Sequence, residues 1–403
     1  MIHILVNGLA ASAGGGLTYL RNVVPQLAAR DDVRTTVVVS PTVREELGHL
    51  TRVSILAPDV SAAAGRRFRQ EQRLLPHLIR SAGADVLISA GNFALRESPV
   101  PQVLLSRNAL YTSPDFYRDL RARHDYKLWL DTRIKAAMAK RSIYWADRTV
   151  APSAAFAEEL RSWTGREITS IHHGFDAKSF FSNTEPLPTA IQGKLEAASD
   201  DLKLLFVSHY NYYRNFETLL SAMPVLIEGL RGKVKLMLTC SLQSEANPGS
   251  YNAEKAAALL RTLKIRDHVV ELGSVPYGSL HHLYRACDVY VTPAYAESFA
   301  HPLVEAMSAG LPVVASDIAV HREICGDAAI FFDRFSASAL ADNVVGLAGS
   351  VERQRELTAA GNRRIGDFSW TRHVSQLVEV ALELQSAVVS KSLRGVKAGL
   401  DTL

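Results

Sequence analysis

Two carboxylates, Glu297 and Glu305, stand eight residues apart in the stretch Ala296-Glu297-Ser298-Phe299-Ala300-His301-Pro302-Leu303-Val304-Glu305-Ala306-Met307. The stretch reads as a short loop that turns into a helix. Pro302 suits the first helical position, where its missing N–H costs nothing. Gly310 and Pro312 stop the helix after about two turns. Asp288–Pro293 upstream and Pro312–Ser316 downstream read as buried strands. The carboxylates therefore belong to a strand–loop–helix junction on the carboxyl edge of a parallel sheet, where open α/β sheets bind ligands.

Such a junction has a definite chemistry. The helix amino terminus offers the N–H groups of Phe299, Ala300 and Leu303 and a positive dipole end, which suit a diphosphate. Glu305, about one turn in, is placed to accept hydrogen bonds from sugar hydroxyls. Glu297, in the loop, faces a second, neutral part of the ligand. A diphosphate between hydroxyl-rich rings describes a nucleotide sugar.

The rest of the chain has to hold this junction. With 403 residues, 47% hydrophobic and 21% charged, it has the composition of a globular protein of two domains. A net charge of +4 is too small to argue for nucleic acid, and fits an anionic ligand or an anionic lipid surface. Cys240, Cys287 and Cys325 are isolated and odd in number, which predicts buried thiols in a reducing compartment. Ile2–Val6 lacks a charged leader and is broken by Asn7-Gly8, so it reads as a first strand rather than a signal peptide. No run approaches the ~18 apolar residues of a membrane span. A cytoplasmic location, extending to peripheral contact with the inner membrane face, is expected.

Strands at Ile2–Val6, Thr35–Ser40, Val53–Leu56, Asp85–Ala90 and Gln102–Ser106, with a helix at Arg66–Ser81 between them, predict a doubly wound parallel sheet. The loop after the first strand ends in Gly14-Gly15-Gly16. By itself it is equally a ligand-contacting loop or a flexible connection, and no GxGxxG fingerprint is present. Residues 118–148 carry nine Arg and Lys residues interleaved with Trp129, Ile134, Met138 and Trp145. They read as one long amphipathic helix, either with its apolar face on the sheet or facing anionic lipid. Residues 177–200 read as a linker. Lys203–Ser208, Lys235–Cys240 and Val269–Gly273 open a second strand series, with helices at Tyr251–Leu263, Ser279–Cys287 and Val320–Cys325 and a strand at Ile330–Asp333. Residues 393–403 are expected to fray.

The stretch from Glu297 to Met307, with Ser308-Ala309-Gly310-Leu311-Pro312-Val313-Val314-Ala315-Ser316-Asp317, resembles the signature of the retaining glycosyltransferases of family 4, of the GT-B fold. One departure is Ala300-His301 in place of the usual Gly-Leu. The resemblance implies two doubly wound, Rossmann-like parallel-sheet domains facing across a cleft. They would comprise an acceptor-side domain at 1–180, a linker at 181–200, a nucleotide-sugar domain at 201–368 and a terminal helix, 369–403, crossing back.

It also implies roles for particular residues. Gly15 and Gly16 would approach the donor phosphates. Ser208-His209 stands where the family has Gly-Arg, and Arg214 where it has Lys, so Arg214 would grip the diphosphate. Val275 would lie by the base. Ser298, Phe299, Ala300, His301 and Leu303 would line the donor, with Glu305 on the ribose and Glu297 at the donor sugar. Arg107 and Asn108 occupy the slot where relatives carry a His, and His173 the Asn place of the family's Asn-Gly-Val-Asp turn, all on the acceptor side. The implied activity is retaining, metal-independent transfer of a hexose from a nucleotide diphosphate sugar to a hydroxyl of a glycan, lipid-linked or small-molecule acceptor, with no cofactor. The alternatives are a nucleotide-sugar epimerase or hydrolase of the same fold, and a non-catalytic nucleotide-sugar-binding subunit.

Overall fold

The apolar runs become buried parallel strands. A computed structural model of the chain describes residues 1–11, 14–243 and 251–400. It divides into two compact units, one of residues 1–112, 131–174 and 369–403, the other of residues 113–130 and 175–368.

The first unit holds β1 (Ile2–Asn7), β2 (Val33–Val38), β3 (Val53–Leu56), β4 (Val86–Ser89), β5 (Gln102–Leu105), β6 (Arg148–Ala151) and β7 (Thr169–Ser170). They form one sheet in the order β3-β2-β1-β4-β5-β6-β7, parallel at every pairing. All of β1 is buried, as a central strand covered on both faces requires. The period-two alternation decides which face each side chain meets. Ile4 and Val6 pack with Leu20, Val23 and Val24 of the helix Gly14–Ala28 and with Val374, Leu377 and Ala381 of the helix Trp370–Leu400. Leu5 packs on the other side with Leu75 and Ile79 of the helix Ala64–Ala82.

The second unit holds β8 (Leu202–Phe206), β9 (Val234–Leu238), β10 (Val269–Glu271), β11 (Val289–Thr292), β12 (Val313–Ser316) and β13 (Ala329–Phe332). Their order is β10-β9-β8-β11-β12-β13, again all parallel. The three cysteines are buried and free.

Several expectations are corrected. Residues 118–148 are not one helix but two, Pro114–Ala122 and Tyr126–Trp145. Between them His124 is left-handed at φ 57°, and the Asp125 side chain accepts from the Leu128 N–H at 3.1 Å to start the second helix. The first of these helices packs with the second unit. Ile134 does not face the sheet; it is 54% exposed, while Ala136, Ala139 and Ile143 are buried. The supposed linker holds the helix Thr189–Glu196, anchored by buried Ile191. Gly15 and Gly16 lie in the first turn of the helix Gly14–Ala28 rather than in a loop, and loop residues 12–13 lie outside the described residues. The terminal helix runs through residue 400, so of the segment expected to fray, residues 401–403 lie outside the described ones. Among the described residues no helix is long and apolar enough to cross a membrane.

Candidate functional site

In the second sheet β8 and β11 are neighbours, and the chain proceeds outward from them in opposite directions. The loops leaving their carboxyl ends diverge there and open a crevice, the usual ligand position in such sheets. The loop after β8 ends in a tight turn, Tyr212–Arg214, followed by Asn215 in the left-handed conformation at φ 55°. Asn215 tolerates that conformation because its side chain is well bonded, donating to the carbonyls of Pro293 at 3.2 Å and Arg334 at 2.6 Å. The loop after β11 is pinned to the first by the Tyr295 N–H, which donates to the Tyr213 carbonyl at 3.0 Å. It is pinned to β12 by the Ser316 hydroxyl, which donates to the Ala294 carbonyl. His321 holds Ser316 in turn, its Nδ1 lying 3.0 Å from the Ser316 carbonyl. Burial lowers the His321 ring to about 4, so it is neutral.

These ties bring Arg214 and Glu297 together as an ion pair whose side chains are only 17% and 10% exposed. The two were expected to meet the ligand separately; in the structure they meet each other. The buried Nε of Arg214 has no hydrogen-bond partner among the described residues. A guanidinium with an unused donor in a crevice is suited to an anion.

The helix His301–Ser308 starts after Ala300, which sits at φ 64°, ψ 61°. Left-handed backbone is strained for any residue with a Cβ. Phe299 is buried against Phe368, with ring centres 5.5 Å apart, and His301 lies over it at 4.8 Å. One expected donor is corrected: the Leu303 N–H is already spent on the Ala300 carbonyl at 3.0 Å. Glu305 is buried, and accepts from the Tyr284 hydroxyl at 2.8 Å. Burial pushes its carboxyl up to about 7, partly opposed by that hydrogen bond. Ser208 spends its N–H on Thr239 at 2.9 Å and its hydroxyl on the His209 carbonyl at 2.7 Å. His209 is exposed, and Val275 is half-buried in the turn after β10.

The acceptor-side candidates gather in the first unit. Arg107 donates to the Ala90 carbonyl and stacks on Tyr19, its guanidinium carbon 4.6 Å from the ring centre. A Cβ on Gly16 would lie 3.1 Å from the Ala11 Cα, which is why glycine suits that first turn. Asn108 is occupied otherwise than expected, its side chain accepting from the Leu110 N–H at 3.0 Å to cap a short turn. His173 is buried among Tyr19, Trp370 and His373, with ring centres 5.3 to 5.5 Å away. Gly174 beside it lets the Ser369–Trp370 backbone pass where a Cβ would stand.

Residues 189–364 match the family Glycosyl transferases group 1, and residues 13–179 match Glycosyltransferase Family 4. The chain belongs to the family 4 glycosyltransferases. A curated relative, the D-inositol 3-phosphate glycosyltransferase of Geodermatophilus obscurus, is 28% identical over 261 residues, 63% of this chain and 56% of its own. The chain spans about half the length of the curated relatives it matches. Sucrose-phosphate synthase from Thermosynechococcus elongatus superimposes with a TM-score of 0.73 at 18% identity, covering 96% of this chain and 100% of that one. Anabaena HepE in complex with UDP-glucose gives 0.69 at 17% identity, covering 95% and 100%. At such identities the likeness is one of fold, the GT-B arrangement of two Rossmann-like sheets.

Several residues of this glycosyltransferase chain near the candidate site carry no sequence signal. Tyr284 reaches Glu305 from a helix 21 residues away in sequence, and Ser316 and His321 brace the Glu297 loop from below. Tyr19 donates its hydroxyl to His373 Nε2 at 2.9 Å, since Nδ1 of that ring faces the His172 carbonyl at 2.8 Å. Their spacing fits no motif, and only the fold brings them together.

Proposed function

We propose that the protein transfers a hexose from a nucleotide diphosphate sugar to an acceptor hydroxyl, with retention at the anomeric carbon and without a metal. The observation that carries this is the buried Arg214–Glu297 pair at the sheet's switch point, with the unused Arg214 Nε beside it. Arg214 and the Phe299 and Ala300 amides neutralise charge on the leaving diphosphate; preorganised donors of this kind commonly contribute several kcal/mol. Glu305 takes the ribose hydroxyls. Glu297, released from Arg214 as the diphosphate arrives, supports positive charge at the anomeric carbon. The bond from that carbon to the phosphate oxygen breaks as the bond to the acceptor oxygen forms. The acceptor proton passes to the leaving phosphate oxygen on the same face, which is why configuration is kept. Arg107 and His173 serve the acceptor. The UDP-glucose bound to Anabaena HepE makes uracil the first base to try.

The helix Tyr126–Trp145 leaves Tyr126, Leu130 and Ile134 exposed at four-residue spacing, beside exposed Lys127 and Arg133. That supports peripheral contact with an anionic membrane surface. Vesicles containing phosphatidylglycerol should co-sediment the protein, and Leu130→Asp with Ile134→Asp should release it.

The deciding experiment is thermal stability against UDP-, GDP-, ADP- and dTDP-sugars in EDTA, followed by acceptor screening and NMR of the product anomer. One nucleotide class should raise Tm by mass action. No shift with any class, or an inverted product, sinks the reading.

A further inference from the structure

We propose that Asp119, on the helix Pro114–Ala122 of the second unit, and Arg123, in the turn that ends it, are positioning residues for the Arg214–Glu297 pair. The proposal takes its chemistry from the function just described and its geometry from a separate set of contacts.

The helix Pro114–Ala122 and the turn after it carry Asp115, Asp119 and Arg123 at four-residue spacing, which places them on one face. Each reaches a different support of the crevice. Asp119 accepts from the Tyr295 hydroxyl at 2.9 Å and from the Arg123 Nε at 2.8 Å. Arg123 also donates to Glu217 at 2.8 Å, and its guanidinium carbon lies 4.1 Å from the centre of the Tyr212 ring. Asp115 accepts from the Arg334 Nε at 2.9 Å, and the Arg334 carbonyl holds Asn215 at 2.6 Å.

The Asp119 and Arg123 contacts end within two residues of the pair or on the helix that follows Arg214, and Asp115 reaches Asn215 through Arg334. Tyr212 and Asn215 flank Arg214, Glu217 lies in the first turn of the helix Phe216–Gly229, and Tyr295 precedes Glu297 by two residues. The Tyr295 N–H to Tyr213 carbonyl bond couples the two sides. The network is nearly dry, with Arg123 9%, Glu217 13% and Asp119 19% exposed. Burial opposes the Arg123 charge, but Glu217 and Asp119 more than offset it and hold the guanidinium above its ordinary range. A satisfied buried network of this kind is stiff, and deleting one member leaves the others uncompensated. Its stiffness is delivered to the two groups whose separation must suit a diphosphate and an anomeric carbon. Small misplacements of such groups are costly in rate.

Three variants test this. Tyr295→Phe removes only the hydroxyl bonded to Asp119, Asp119→Asn keeps an acceptor but removes the charge, and Arg123→Lys keeps the charge but loses the fork. The readouts are kcat against donor KM, the ratio of Kd for nucleoside diphosphate to that for the monophosphate, and hydrogen exchange by mass spectrometry. Tyr295→Phe should lower kcat about tenfold with donor KM within about twofold. Arg123→Lys should weaken diphosphate binding about tenfold while the monophosphate, which does not need Arg214, is unaffected. Exchange should accelerate at 209–216 and 294–298 in all three variants and not at 313–332. If kcat and the Kd ratio stay at wild-type values in every variant, whatever happens to Tm, the positioning role is overturned while the transferase reading stands. If the wild-type protein binds no nucleotide, the transferase reading falls. Exchange then decides the positioning alone: acceleration confined to the two loops sustains it, and unchanged or uniform exchange overturns it.

Discussion

Arg214 and Glu297, 83 residues apart in sequence, close on each other as a largely buried ion pair at the carboxyl edge of the second sheet. On the proposed function, a diphosphate must compete with Glu297 for the guanidinium. Glu297→Gln keeps the shape and removes the competitor. We expect nucleoside diphosphate to bind about tenfold more tightly, the equivalent of one pKa unit of interaction. Turnover should fall by two to three orders of magnitude, roughly the loss expected for a group that acts on developing charge. Calorimetric Kd and steady-state kcat check the two halves separately. A variant that lost affinity along with turnover would place Glu297 on the diphosphate side instead.

The reciprocal substitution has the opposite signature. Arg214→Met strands the Glu297 carboxylate, 10% exposed, without its counter-charge. Breaking a buried pair from one side costs about 3 kcal/mol or more, whereas removing both charges is far cheaper. The single variant should melt several degrees lower, and Arg214→Met with Glu297→Gln should recover most of that loss. Neither should bind diphosphate well. Equal melting temperatures for the single and double variants would show that the stranded Glu297 carboxylate is not what destabilises the single one.

Glu305 supplies a pH test. Burial raises its carboxyl to about 7 in the folded chain. The unfolded value lies near 4.3. The folded state thus holds the proton more tightly, and the stability contributed by this group is lost as pH rises from about 4.3 through 7. Glu305→Gln should flatten that fall and raise the Tm of the ligand-free protein at pH 8. Only the ionised carboxylate accepts two hydroxyl hydrogen bonds, so nucleotide-sugar affinity should run the other way. It should weaken about tenfold between pH 8 and pH 6 in the wild type, and be weak and flat in the variant. A wild-type affinity independent of pH would remove Glu305 from the ribose.

The fold was legible where one physical signal dominated. The short, mostly apolar runs of β1, β11 and β12 read as doubly covered strands, and Pro302 with Gly310 brackets the helix between the last two. The break at residues 123–125 was not legible: it turns on the left-handed backbone of His124, and the Arg123 side chain just before it is held by Glu217, 94 residues further on. The same holds for Arg214 with Glu297, for Tyr284 with Glu305, and for the packing of Tyr19 with His173 and His373. Each is a long-range pairing between side chains whose local patterns are ordinary. The spent Leu303 amide was hidden for another reason, since it depends on the backbone angle of Ala300.

That angle carries the last prediction. Ala300, 6% exposed, holds φ 64° at the start of the helix His301–Ser308. Left-handed backbone costs an L-residue roughly 1–2 kcal/mol that glycine does not incur. Glycine gives back roughly 0.5–1 kcal/mol through the entropy of the unfolded chain. Ala300→Gly should therefore be stabilising by up to about 1 kcal/mol, a small rise in Tm, although it deletes a buried methyl. Strain kept next to a ligand site is usually retained for geometry. Here the alanine restricts the turn that aims the Phe299 and Ala300 amides, so the glycine variant should be more stable yet bind diphosphate no better. A destabilised variant would mean that the methyl packing outweighs the backbone strain.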